Sequence, residues 1–402
     1  QLIAHRHAQH LANMVAGTGT QLYSLPGEEI LIIKKTAWHG ISVMNSCQRE
    51  KQKATIRAPR VRRDFSFPLD ETLPMGEIVR SAFRPPLWLR NPHLQTLWGP
   101  MGRSLPEVER RSERLNLKDG DYLLLDWAGP ESRPGQLTVL LLHGLSGCSD
   151  SHYMRGMQKV LAEAGIRSVA INSRGAKKPN DTALCYHAGE VDDVDAVIKH
   201  VFHENPTGHR IAIGVSLGGS RLLNWLAHRD NGDLSAVATV CSPLRLDICA
   251  NRLDQGLSKL YRQHLLKNLL GNFAVQKTHL DKVNPPEAKR LHRLNMNGIR
   301  SFWRYDDQII APLYGFRSAY HYYAQCSAGP KLLQIRTPTL MLQNRDDPFM
   351  TPATLPRQEE LGPAVTLEVS DYGGHVGFVG DKSQRYWLEQ RLLAFVQGFG
   401  FR

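Results

Sequence analysis

The stretch from Arg210 to His228 constrains this chain more than any other. An apolar run, Ile211-Ala212-Ile213, leads into Gly214-Val215-Ser216-Leu217-Gly218, and a helix-forming segment leads out. G-x-S-x-G alone is a weak signal, because glycine and serine are common residues. Set between a strand and a helix, it describes a sharp turn that lifts a serine hydroxyl clear of a sheet. Gly214 and Gly218 suit that turn, since larger side chains beside it would strike neighbouring backbone. The helix beginning at the turn also points its positive end at Ser216. A serine that merely decorates a loop explains none of this.

Such a turn needs a sheet, and the surrounding pattern supplies one. Asp119-Gly120 is a turn signal between Leu115–Leu117 and Tyr122–Trp127, so a hairpin is expected there. Apolar, β-rich runs follow at 136–142, 166–171, 210–215, 236–241, 339–342 and 365–369. Helical periodicity lies between several of them, at 151–164, 190–202 and 218–228, and again at 383–396. Strands alternating with helices predict an α/β fold: a mostly parallel sheet covered by helices on both faces, with functional loops at the strand C-terminal ends. One interval breaks the rhythm. From about 245 to 334 only helical segments appear, and an insertion between two strands is expected to cap the site as a helical lid.

A serine nucleophile requires a base, and the base requires an orienting acid. Of 17 histidines, His375 is the best placed, in Gly373-Gly374-His375-Val376-Gly377 after the last strand and before the last helix. The acid should end an earlier strand, which selects the run Asn344-Arg345-Asp346-Asp347-Pro348-Phe349. Asp347 is the choice there, with Asp346 its neighbour and rival. A tetrahedral intermediate needs two backbone N–H donors. Leu217, next to the nucleophile, supplies one; the loop His143-Gly144-Leu145-Ser146-Gly147 supplies the other, from Leu145. His143 reads as a structural histidine that holds this loop. Candidate apolar lining from the insertion is Leu257, Leu260, Leu265, Leu266, Trp303, Tyr322 and Tyr323.

Composition narrows the alternatives. Hydrophobic residues make up 42% of the 402 and charged residues 22%, a globular balance. The net charge of +12 is spread along the chain, and no recognised nucleic-acid motif accompanies it, so no nucleic-acid partner is expected. A weak attraction to an acidic membrane surface is compatible with that charge. No H-E-x-x-H motif, Walker sequence or dinucleotide fingerprint occurs, so neither metal nor cofactor is expected. Cys47, Cys148, Cys185, Cys241, Cys249 and Cys326 form no C-x-x-C pair, which suits reduced thiols and a cytoplasmic protein. Nothing in the sequence sets the oligomeric state. Residues 1–74 lack coherent periodicity, and Met75 precedes the first regular pattern. They are expected to be a doubtful or disordered extension before a hydrolase domain at 75–402.

Four segments resemble the YheT-like branch of the α/β-hydrolases: Pro92-His93-Leu94-Gln95-Thr96; His143-Gly144-Leu145-Ser146-Gly147; Tyr186-His187-Ala188-Gly189-Glu190; and the acid and base loops, Asp346–Phe349 and Gly373–Phe378. The resemblance runs from about Phe83 to the C-terminus. It implies a carboxylesterase or acylglycerol-lipase type of activity on a small-molecule ester, without a cofactor. Within the first of these segments, His93–Thr96 is expected to pack near the sheet edge. A thioesterase or amidase could use the same three side chains, and a non-catalytic binding protein could keep the fold.

Overall fold

The computed structural model describes residues 21–24, 30–33, 76–131, 133–203, 208–230, 232–381 and 385–400. Two compact units divide the chain, Gln1–Leu69 and Asp70–Arg402. In the first, β1 (Gln21–Ser24) pairs antiparallel with β2 (Ile30–Ile33). The rest of the expected 1–74 extension lies outside the described residues.

The second unit is built on nine strands: β3 (Glu77–Arg80), β4 (Arg111–Asn116), β5 (Tyr122–Ala128), β6 (Thr138–Leu142), β7 (Arg167–Asn172), β8 (Arg210–Val215), β9 (Ala236–Val240), β10 (Thr339–Asn344) and β11 (Val365–Ser370). Their order is β3-β11-β10-β9-β8-β6-β7-β5-β4. Every pairing from β3 across to β7 is parallel; at the other edge β5 runs antiparallel to both β7 and β4, so β4 again points the way of the rest. The Asp119-Gly120 turn closes the β4–β5 hairpin, with Asn116 opposite Tyr122. β3 has no counterpart in the periodicity. It is a four-residue edge strand with mostly exposed side chains, so no buried alternation marks it.

Strands β6, β9 and β10 are buried at every residue, as parallel strands covered on both faces must be. The two-residue period divides β6 cleanly. Leu140 and Leu142 join one core with Val194 and Val197 of α3 (Asp192–His203) and Trp225 of α4 (Leu217–His228). Val139 and Leu141 join another, with Met154 of α2 (His152–Glu163) and Leu392 of the C-terminal helix (Trp387–Gly400). α3 and α4 are further tied by a buried pair, Arg221 with Glu190, whose other carboxylate oxygen caps the Asp193 N–H at 2.7 Å.

Between β9 and β10 stand α5 (Leu246–Leu253), α6 (Ser258–Val283), α7 (Pro285–His292) and α8 (Ala319–Cys326). Ahead of α8 come the short turns Phe302–Tyr305 and Ala311–Tyr314, joined by a π-helical turn, Asp306–Ile310. These helices share an apolar core that includes Leu266, Leu269, Phe273 and Leu280 and reaches Tyr186, Ala188 and Leu217 outside the insertion. No helix among the described residues is long and apolar enough to cross a membrane.

Candidate active site

Ser216 ends β8 and opens α4 with φ 52° and ψ −121°, a left-handed conformation that a side chain rarely adopts. The flanking glycines follow from contact distances. A Cβ on Gly214 would sit 2.6 Å from the Gly218 carbonyl oxygen, and one on Gly218 would sit 2.5 Å from that of Leu142. Among the described residues, the other non-glycine positions with positive φ are Ser146, Cys241, Val376 and Phe378. Each lies in a loop beside Ser216 or His375, or contacts one, so backbone strain is gathered where the loops meet.

His375, in the loop after β11, joins the other two predicted residues. Its Nε2 lies 2.9 Å from Ser216 Oγ, and its Nδ1 lies 2.8 Å from Asp347 Oδ2. Asp347 is buried, and its second oxygen accepts the Phe349 N–H at 2.8 Å. The Phe349 ring stacks on the imidazole at 3.9 Å between centroids, nearly coplanar at 4°. Asp346 faces elsewhere. It accepts the Gly374 N–H at 3.0 Å, its other oxygen is buried without a partner among the described residues, and burial pushes its carboxyl up to about 6.

The Leu145 and Leu217 amides donate to no acceptor among the described residues, and both residues line the cavity that contains Ser216. The Leu145 loop is held from outside. The Ser146 N–H donates to Tyr186 Oη at 2.8 Å, and the Gly144 N–H donates to Tyr153 Oη at 3.0 Å. His143 is buried, which holds its imidazole down to about 4. Its Nε2 accepts the Ser173 N–H at 3.1 Å, a loop-holding position rather than a reacting one.

The segment Pro92–Thr96 packs against the His375 loop. It starts α1 (Pro92–Gly102), whose N-cap Asn91 accepts the His93 N–H at 2.9 Å and the Leu94 N–H at 3.2 Å. Thr96 Oγ1 accepts the His375 N–H at 2.8 Å while donating to the Pro92 carbonyl at 2.7 Å. Gln95, fully buried, accepts the Val379 N–H at 2.8 Å and donates to the Val379 and Leu89 carbonyls, each at 3.0 Å. The His375 loop is therefore gripped at His375 and again four residues later. A glutamine and a threonine one residue apart give no periodic signal, and only the resemblance marks them in the sequence.

Residues 138–381 match the family model described as alpha/beta hydrolase fold, more than half of the chain. The chain belongs to the α/β-hydrolase family. Within it, YheT of Escherichia coli K12 is 32% identical over 327 residues, covering 80% of this chain and 95% of that protein. Phospholipase ABHD3 of Homo sapiens is 29% identical, covering 80% of each chain. Among solved structures, esterase Pf2001 of Pyrococcus furiosus is 16% identical with a TM-score of 0.47, covering 82% of this chain and 98% of that one.

In this α/β-hydrolase Ser216 and His375 open onto a cavity of about 890 Å³. Its walls come from α1, the Leu145 loop and the helical insertion; His93 and Tyr261 bridge α1 to α6, with Nδ1 and Oη 3.0 Å apart. Of the expected lining residues, Leu257, Leu260, Leu265, Tyr322 and Tyr323 face it. Leu266 and Trp303 do not. Leu266 is buried in the insertion core, one residue round the helix from Leu265, and Trp303 packs on Tyr320 and Tyr323 with its Nε1 donating to Asn251 at 2.9 Å. Leu97, Met101, Leu105, Leu257 and Leu260 are lining residues that also remain exposed to solvent, an apolar rim at the mouth.

Cys241 approaches Asp347 and His375 so that one ligand atom from each lies within 4.8 Å of the others. As a donor set it is poor for a metal. The thiol is held well above its ordinary pKa by burial, and the imidazole and carboxylate already face each other.

Proposed function

We propose that this chain hydrolyses carboxylic esters of lipid-like character, with Ser216 as nucleophile, His375 as general base and acid, and Asp347 as the orienting carboxylate. The observation carrying this reading is the continuous contact from Ser216 Oγ through both ring nitrogens of His375 to Asp347, at 2.9 and 2.8 Å, on the floor of a largely apolar cavity. In the reaction Ser216 Oγ attacks the ester carbonyl carbon as its proton passes to His375 Nε2. The carbonyl oxygen, now an anion, takes the Leu145 and Leu217 N–H groups, which have no other acceptor among the described residues. Asp347 fixes the tautomer with the proton on Nδ1 and offsets the imidazolium charge. His375 then protonates the departing alcohol, leaving an acyl group on Ser216, and water enters by the same steps in reverse.

The apolar rim and the names of relatives, a phospholipase among them, favour an ester with a substantial apolar part. The insertion α5–α8 forms much of the wall and serves as the cap. Incubation of the folded chain with a fluorophosphonate, followed by peptide mass mapping, should place one adduct on Ser216. The Ser216→Ala variant should stay unlabelled, keep its melting temperature within a few degrees and lose about 10⁶-fold in kcat on p-nitrophenyl esters. Labelling elsewhere, or turnover by the alanine variant, would remove Ser216 from its role.

A further inference from the structure

The cavity wall is largely apolar, with polar side chains set into it, among them Arg103, His152, His187, His264 and Asn268. Among the described residues lining it, Asp306 carries the one carboxyl. It is buried, 8% exposed, and stands at the start of the π-helical turn Asp306–Ile310; single π turns set among α-helical segments concentrate at functional sites. One carboxyl oxygen, Oδ2, accepts the Tyr323 hydroxyl at 2.5 Å. The Tyr323 hydroxyl is the one donor that this carboxyl meets among the described residues, which leaves Oδ1 without one. The guanidinium that lines the same cavity, that of Arg103, is already paired with Glu389 at 2.5 Å and does not supply the missing partner.

We propose that Asp306 and Tyr323 form a subsite for a hydroxyl group of the substrate, so that the enzyme selects esters bearing a hydroxyl over their purely alkyl counterparts. This rests on the esterase reading of Ser216 and adds a substrate class to it. An alkyl chain laid against Asp306 would strip water from Oδ1 and return no hydrogen bond, a loss that a buried polar group registers in full. A hydroxyl returns the bond. Because it both donates and accepts, it also matches the carboxyl in either protonation state. That matters here: burial pushes Asp306 up to about 7, against the opposing pull of the Tyr323 hydrogen bond, so both states are populated near neutrality. An ammonium group would fit the ionised state alone.

The test uses the full chain and ester series of graded length, with the acyl or the alcohol part ending in methyl, hydroxyl or trimethylammonium. At the matching length the hydroxyl ester should exceed its methyl counterpart in kcat/KM by on the order of 10- to 100-fold. The ratio should fall to near one in Asp306→Leu and only partly in Asp306→Asn, which keeps a donor and an acceptor. Since each ratio is taken within one protein, general losses of activity cancel. Turnover without hydroxyl preference at any length in the unmodified chain overturns this proposal alone, whatever the variants do. Preference for the ammonium series overturns it in favour of a cation subsite. Absence of turnover on every ester overturns the esterase reading, and the subsite with it.

Discussion

The strand-end loops and the helical insertion meet at the same cavity but differ in how far apolar packing holds them. Around Ser216 and His375 position is fixed by backbone: left-handed residues, glycines with no room for a Cβ, and loop amides caught by Thr96, Gln95, Tyr153 and Tyr186. Across the cavity, α5–α8 pack apolar side chains into a core that also takes in Tyr186 and Leu217, and side chains such as Gln276, Asn284 and Glu287 tie them to the loop at 180–183. The first kind of support tolerates almost no displacement, whereas the second can exchange one apolar residue for another and keep its shape. Changes in the loops should therefore act on the chemical step, and changes in the insertion on the choice of substrate.

The largest expected break in that comparison comes from the acid loop. Asp347→Asn keeps the contact distances but offers an amide to His375 Nδ1, and kcat should fall about 10⁴-fold. Asp346→Asn, one residue away and bonded to Gly374 instead, should stay within about tenfold on the exponential scale that relates barrier to rate. Kinetics on a single chromogenic ester compare the two directly. Equal losses would mean that the loop exchanges its two carboxylates during turnover.

The α1 clamp comes next. Thr96→Val removes the acceptor for the His375 N–H while keeping the volume, so the imidazole is held less accurately. We expect kcat to drop roughly tenfold to a hundredfold with KM little changed, as misplacement of a reacting group does. Thr96→Ser, which restores the oxygen, should recover most of it. A rise in KM at constant kcat would instead assign Thr96 to the cavity wall that it also lines.

Within the insertion, Leu265 and Leu266 sharpen the contrast further. Leu266→Ala empties a core position that is 4% exposed and should cost about 2–4 kcal/mol in urea unfolding with little change in acyl preference. Leu265→Ala, on the cavity face, should barely alter stability and should shift the preferred acyl length, by an amount of the order of one to two methylenes at about 0.8 kcal/mol each.

The same division decides what can be read from the sequence. The sheet is legible because buried parallel strands are continuous apolar runs, and Ser216, Asp347 and His375 are legible because each follows such a run. Asp347 is separated from Asp346 only by coordinates, since one residue of loop rotation exchanges them. The insertion is legible as helices but not as a wall. On α6 Leu265 and Leu266 differ by a rotation of about 100°, and a long helix apolar on several sides gives no sign of which side meets a cavity. Asp306 is hidden for a related reason: its burial depends on a π turn that shifts the helical register, which no 3.6-residue pattern registers. β3 escapes notice because an exposed edge strand carries no alternation.

The smallest effect expected is one of pH. Asp346 has an ordinary value of 3.8 and is pushed up to about 6, first by burial, with the Asp347 charge adding to it and the Gly374 N–H opposing. The folded chain thus binds this proton more tightly than the unfolded one. Below about pH 4 both states hold it and its contribution to stability is complete; between about 4 and 6 the unfolded state releases it first, so stability declines as pH rises, and above about 6 the loss levels off. Asparagine has no proton to lose. It keeps an oxygen for the Gly374 N–H but turns an amide toward the site where Oδ2 is buried without a partner among the described residues, a penalty that does not vary with pH. The absolute stability of Asp346→Asn is therefore uninformative, and its slope is the measurement. Urea midpoints of both proteins, taken from pH 4 to 7, should move apart in favour of the variant, with most of the change below about pH 6. A difference that stays flat over that range would mean Asp346 ionises in the fold as it does in water, and that the acid loop admits solvent to both of its carboxylates.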